Sequence, residues 1–141
     1  MILIRGKPFE KHTRSAYPAP YVKVEMRALA GWNPSTVNFM ARIDTGADLT
    51  CVPRNQAEKL MPLPLGKPVL VSGHDGRIKR LPTYRVIISI LGYPDENQLE
   101  SYRPERGVLL TDSSFGLIGM DVSKLWELTL DGVRQEFSIQ F

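Results

Sequence analysis

A single cysteine, Cys51, among 141 residues excludes an intrachain disulfide and a cysteine-built zinc site, and it makes a reducing compartment the simpler setting. The only histidines are His12 and His74, and no motif joins them, so no metal ligand set and no cofactor is expected. Long apolar runs are missing as well. Val86 to Leu91 falls far short of the roughly 18 residues of a membrane span. Met1 to Ile4 is apolar, but Arg5 and Lys7 follow at once, too soon for the core of a signal peptide. These absences together predict a cytoplasmic chain with no membrane partner. A basic block is absent too: the 18 Lys and Arg and the 15 Asp and Glu are scattered, without aromatic interleaving, and no nucleic-acid partner is expected. Leu65, Gly66, Lys67 and Pro68 lack the glycine spacing and the Ser or Thr of a phosphate loop.

What is present is turn chemistry. With 11 prolines and 11 glycines between short apolar stretches, the chain reads as all-β. Residues 1–20 end in Tyr17, Pro18, Ala19, Pro20 and read as an N-terminal arm or linker, leaving residues 21–141 as one domain. Tyr21 to Leu29 forms a first strand, and Gly31, Trp32, Asn33, Pro34 turn the chain into a second, where Val37, Phe39, Ala41 and Ile43 alternate with polar neighbours. Asn55 to Met61 is predicted to make a short helical turn. Val69 to Val71 and Ile78 to Ile90 read as two strands about the turn Ser72, Gly73, His74, Asp75, Gly76. Tyr93 to Gly107 is polar and reads as an exposed loop outside the core. Asp121 or Ser123 is positioned to cap a short helix through Trp126, and Asp131, Gly132 signals a tight C-terminal hairpin.

The chemistry-bearing stretch is Ile43, Asp44, Thr45, Gly46, Ala47, Asp48. Asp44 stands where a strand ends, Gly46 lets the chain turn without a side chain in the way, and Thr45 offers a short hydroxyl. The tripeptide alone is weak evidence, since average composition places it in roughly one of thirty chains of this length. Its context adds to it: an apolar strand enters the aspartate, a glycine-bearing hairpin follows, and Leu117, Ile118, Gly119 then lead into a helix.

Over residues 21 to 130 this order resembles the retropepsin-like aspartic proteases, the single-lobe relatives of retroviral protease. The resemblance implies a single-lobe acid-protease barrel with one short C-terminal helix, active as a two-fold dimer and needing no cofactor. It implies that Asp44 is the catalytic aspartate, that the Thr45 hydroxyl grips the facing loop of the other subunit, and that Gly46 meets substrate. It further implies that Ala47 and Asp48 hold the peptide main chain. The turn Gly73, His74, Asp75, Gly76 matches the flap over the substrate, and Leu117, Ile118, Gly119 match the apolar segment packing behind the catalytic loop, with Leu117 and Ile118 counted, like the flap turn, among the substrate-binding residues. The partners implied are a peptide or protein substrate and a second copy of the chain.

The departures are equally specific. Retroviral enzymes follow the Leu-Ile-Gly type segment with an arginine that pairs with the second acidic residue of the loop, whereas Met120 and Asp121 stand here. The flap turn, with His74, Asp75 and Arg77, is more polar than the retroviral one. Two other readings compete with the protease: a non-catalytic peptide-binding or scaffolding module that kept the fold, and an unrelated small β-barrel in which Asp44 is an ordinary turn aspartate. Asp48 reads equally as a loop carboxylate bonding nearby amides, and Cys51 as a small packed residue.

Overall fold

The computed structural model describes residues 1–12, 17–29, 34–72 and 75–141. Its strands are β1 (Ile2–Pro8), β2 (Tyr21–Ala28), β3 (Val37–Ile43), β4 (Cys51–Pro53), β5 (Val69–Ser72), β6 (Ile78–Leu81), β7 (Val86–Leu91), β8 (Leu99–Tyr102), β9 (Leu109–Thr111), β10 (Gly116–Ile118), β11 (Glu127–Asp131) and β12 (Glu136–Gln140). Two short helices, α1 (Arg54–Ala57) and α2 (Met120–Ser123), accompany them, and a 3-10 turn at Glu58–Leu60 extends α1. The chain is therefore mostly β. The helical turn expected over Asn55 to Met61 is present, so α2 is not the sole helix, and two strands follow it.

Seven strands form one sheet in the order β8-β7-β2-β3-β10-β4-β9. Its centre follows from side-chain period. In β2, Val22, Val24 and Met26 are buried while Lys23 and Arg27 are exposed or half-exposed, and in β3 Val37, Phe39, Ala41 and Ile43 are buried. Such alternation buries one face of each strand. The strand β7, Val-Ile-Ile-Ser-Ile-Leu, is buried nearly throughout, as a strand covered on both faces must be. The antiparallel register pairs Tyr21 with Arg42 and Val24 with Phe39, as the expected hairpin requires. Its Gly31, Trp32, Asn33 turn lies outside the described residues.

Several expectations are corrected. Residues 1–20 are not an arm throughout: Ile2–Pro8 pairs antiparallel with β12, and Leu3 and Ile4 are buried in the core beside Phe137 and Ile139. The tie continues on the other side of β1, where the Arg5 amide donates to the Tyr93 carbonyl and the Tyr93 amide to Leu3. The stretch from Ile78 to Ile90 is two strands. Pro82 has no N–H for a ladder, and beyond it the buried Thr83 hydroxyl donates to the Lys67 carbonyl (2.9 Å), so the chain leaves β6 and crosses to the main sheet. The polar stretch from Tyr93 to Gly107 supplies the edge strand β8, whose Tyr102 hydroxyl accepts from Trp126 Nε1 (2.6 Å). The last hairpin closes through four residues, 132–135, rather than two. Asp131 Oδ1 accepts the amides of Val133 and Arg134, and Gln135 adopts φ of 53°.

Candidate active site

Asp44 is placed by the pairing of β3. On one side β3 is antiparallel to β2. On the other it is parallel to β10, with Ala41 opposite Gly116 and Ile43 opposite Ile118. With Ala41 and Ile43 packed into the core, the alternation turns Arg42 and Asp44 to the opposite face. Pairing stops after Ile43. The Asp44 amide donates to the Ile118 carbonyl (2.9 Å), the Asp44 carbonyl accepts from the Ala47 amide (3.2 Å), and Asp44 Oδ1 accepts from the Gly46 amide (3.0 Å). The loop thus folds over its own carboxylate, whose side chain remains about a third exposed. A Cβ at Gly46 would stand 3.3 Å from Asp44 Oδ1, which explains a glycine here without appeal to backbone strain.

The rest of the loop is clamped to the turn before α2. The Met120 amide donates to the Ala47 carbonyl (2.8 Å) and the Asp121 amide to the Asp48 carbonyl (3.2 Å). The Asp121 carboxylate accepts in return from the Thr50 amide (3.1 Å, Oδ2) and the Thr50 hydroxyl (2.8 Å, Oδ1), and that hydroxyl oxygen accepts from the Gly119 amide (3.1 Å). Thr50 is wholly buried, so its two donors depend on this carboxylate. A Cβ at Gly119 would come within 2.7 Å of the Leu49 carbonyl oxygen, so the two segments touch backbone to backbone. The helix-capping role expected of Asp121 or Ser123 is not taken. Gly119 is the N-cap, without a side-chain bond, and Asp121 holds the loop instead.

Beyond Gly46 opens a cleft of about 1160 Å³, with the active loop on one side and β5 of the β5-β6 hairpin on the other. Gly46, Ala47, Asp48 and Leu117 line it. Asp48 is exposed, and its carboxylate makes no hydrogen bond or ion pair with a described residue. Ile118 is wholly buried and meets the loop from behind through its carbonyl, and of this segment Leu117, not Ile118, lines the cleft. Asp75 and Gly76 are exposed at the hairpin tip, with Asp75 Oδ1 accepting the Arg77 amide (3.0 Å), and neither lines the cleft. Gly73 and His74 lie outside the described residues. Thr45 is exposed on the loop tip. Thr50, Asp121 and Arg42 were missed by sequence reading. A threonine and an aspartate 71 residues apart carry no local signal, whereas Arg42 shares the strand face of Asp44 and was legible by period alone.

Cys51 lines the same cleft, half-buried. Burial pushes its thiol up from the ordinary value of 9.0, and the Asp121 and Asp44 carboxylates add to the rise. Its thiolate is therefore scarce at neutral pH. Alkylation by iodoacetamide, followed by intact mass, is expected to reach half its limiting rate above pH 9.0, the midpoint of an unperturbed thiol. A plateau at or below that pH would contradict the assignment. Among the described residues no three His, Cys, Asp or Glu side chains gather as a metal site, and no helix is long and apolar enough to cross a membrane.

No protein-family model matches the sequence, and no curated protein matches it. Among solved structures the chain is similar to EIAV protease complexed with the inhibitor HBY-793. The match covers 80% of this chain and 92% of that one, at 16% identity and a TM-score of 0.45.

Proposed function

We propose that the chain is one half of a homodimeric aspartic endopeptidase, in which the two Asp44 carboxylates meet across a two-fold axis and activate a water for peptide hydrolysis. The observation that carries this reading is the presentation of Asp44. Its carboxylate is part-exposed on a loop clamped from behind, the next residues Gly46, Ala47 and Asp48 line a cleft, and among the described residues its one hydrogen bond comes from the Gly46 amide, which supports a chemical role.

One carboxylate is insufficient for the reaction. Water must lose a proton as its oxygen attacks the carbonyl carbon, and the carbonyl oxygen must gain one. A two-fold interface supplies the second group from the same residue of the other copy, and two carboxylates in contact share one proton. The ionised Asp44 takes the proton from water while the protonated one donates to the carbonyl oxygen. Collapse of the tetrahedral intermediate then breaks the C–N bond, with a proton passed to the leaving amine. Gly46 leaves room for the substrate backbone, Ala47, Asp48 and Leu117 line its path, and the free edge of β5 offers main-chain groups to an extended peptide. Thr45, exposed at the loop tip, is placed to meet its own copy. A cytoplasmic site of action belongs to the same proposal, motivated by the lone reduced cysteine.

Subunit mixing tests the shared site. Wild-type chain mixed with an equal amount of Asp44→Asn chain and left to exchange is expected to keep about one quarter of the activity of the same total amount of wild type, because only that fraction of dimers carries two aspartates. Retention of about one half would mean that each chain works alone, and would overturn the proposal.

A further inference from the structure

Arg42 is the one cation within ion-pair reach of Asp44 among the described residues, its Nη2 lying 3.7 Å from Oδ2. That spacing is too long for a hydrogen bond, and no hydrogen bond to another described residue engages the guanidinium. The head group is nevertheless fixed. Its central carbon lies 5.9 Å from the Phe115 ring centroid, within cation–π range, and Phe115 is braced edge-on by Tyr21 at 5.5 Å. Tyr21 is the cross-strand partner of Arg42 and is buried, so the support reaches from the core to the guanidinium. The side chain remains 38% exposed. A planar cation within cation–π range of an aromatic ring, with no hydrogen bond to a described residue, is suited to a carboxylate.

We infer that Arg42 is a specificity residue, which selects peptides carrying an aspartate or glutamate directly beside the bond to be cleaved. This rests on the proposed protease reading. There the scissile peptide sits on the Asp44 pair, and the neighbouring substrate side chains pass within reach of a group 3.7 Å from that pair. Charge counting gives the same direction. Two aspartates sharing a proton carry one negative charge, and two copies of Arg42 carry two positive ones, so the assembled centre has a surplus cation. A substrate carboxylate neutralises it. Asp48, the exposed acid of the same loop, lines the cleft with Gly46 and Ala47.

The test compares peptides differing only as Glu against Gln, or Asp against Asn, at the two positions flanking the cleaved bond. Wild type is expected to cleave the acidic member with kcat/KM about ten- to a hundredfold higher, the range for a hydrogen bond between charged groups. Arg42→Gln should abolish that ratio, Arg42→Lys should restore part of it, and Arg42→Glu should invert it toward lysine-bearing peptides. A second arm measures binding of the same pairs to Asp44→Asn dimer, which cannot turn them over. Cleavage without an acid preference, or a preference that survives Arg42→Gln, overturns the inference and leaves the protease reading intact. A preference seen in binding and lost with Arg42→Gln, without cleavage by wild type, overturns catalysis and with it the placing of the acid beside a cleaved bond. A preference that follows a free peptide terminus, and disappears on amidation, assigns the arginine to terminal carboxylates and refutes the side-chain claim. A library neither cleaved nor bound overturns both.

Discussion

On the proposed protease reading, Asp44→Asn is expected to lower peptide hydrolysis by about four orders of magnitude, the upper range for loss of general acid–base catalysis, while leaving the fold and the proposed dimer intact. The two halves of that expectation have separate causes. Asparagine keeps a carbonyl oxygen where Oδ1 accepts the Gly46 amide, so the bond that shapes the loop survives. What is lost is the contact with Arg42 at 3.7 Å between partly exposed groups, a kind of pair worth less than about 1 kcal/mol. Thermal unfolding should therefore move by no more than a few degrees. An asparagine pair, however, neither takes a proton from water nor offers one to the carbonyl oxygen. Undiminished cleavage by purified Asp44→Asn protein, measured on the peptide that wild type cleaves best, would sink the catalytic assignment. Loss of activity accompanied by loss of structure would not support it, so circular dichroism and sedimentation belong to the same experiment.

Why this residue was legible from sequence, and its supports were not, comes down to range. β2 and β3 carry a period-two pattern within a few residues, and Ile43-Asp44-Thr45-Gly46 sits at its end, so both the strand pair and the candidate carboxylate follow from local chemistry. The terminal strand β1 has no such pattern. Gly6 and Lys7 interrupt it, and only β12, 132 positions away at the Gly6 amide to Ser138 hydroxyl bond, makes it a strand. The same holds for β8, where Leu99, Glu100, Ser101 and Tyr102 look like loop composition until the free edge of β7 is there to pair with them. In the active loop, Asp48 stood out because it belongs to the motif, yet it accepts no hydrogen bond from a described residue. Asp121 has the structural task. From the start of α2, the side-chain link back to the loop runs from the Asp121 carboxylate to Thr50.

That link makes Asp121→Ala the most damaging change expected away from Asp44. Thr50 is wholly buried, and both its amide and its hydroxyl donate to this carboxylate. Removing the acceptor strands two donors where water cannot easily reach them, at about 1–3 kcal/mol for each group. A loss of about 3 kcal/mol would lower Tm by about 10 °C for a domain of this size. Activity should fall further than stability alone accounts for, because Thr50 also holds the Gly119 amide, and Gly119 lies against the backbone of Leu49. Asp44 would keep its own loop bonds while the loop as a whole loosened against α2, a misplacement felt as lower kcat at temperatures where the protein is still folded. Asp121→Asn separates geometry from charge. Its carbonyl oxygen can take the Thr50 amide while its NH2 faces the Thr50 oxygen and leaves the hydroxyl proton without its acceptor, so it should recover about half of the lost stability. Thr50→Val approaches the same clamp from the other side, leaving Asp121 Oδ1 and the Gly119 amide without their shared partner. If the clamp acts as a unit, the double variant Asp121→Ala, Thr50→Val will be less destabilised than the sum of the two single ones, as a double-mutant cycle reads directly. Simple additivity would show instead that the two residues contribute independently, beside the backbone bonds that join the loop to Met120, Asp121 and Ile118.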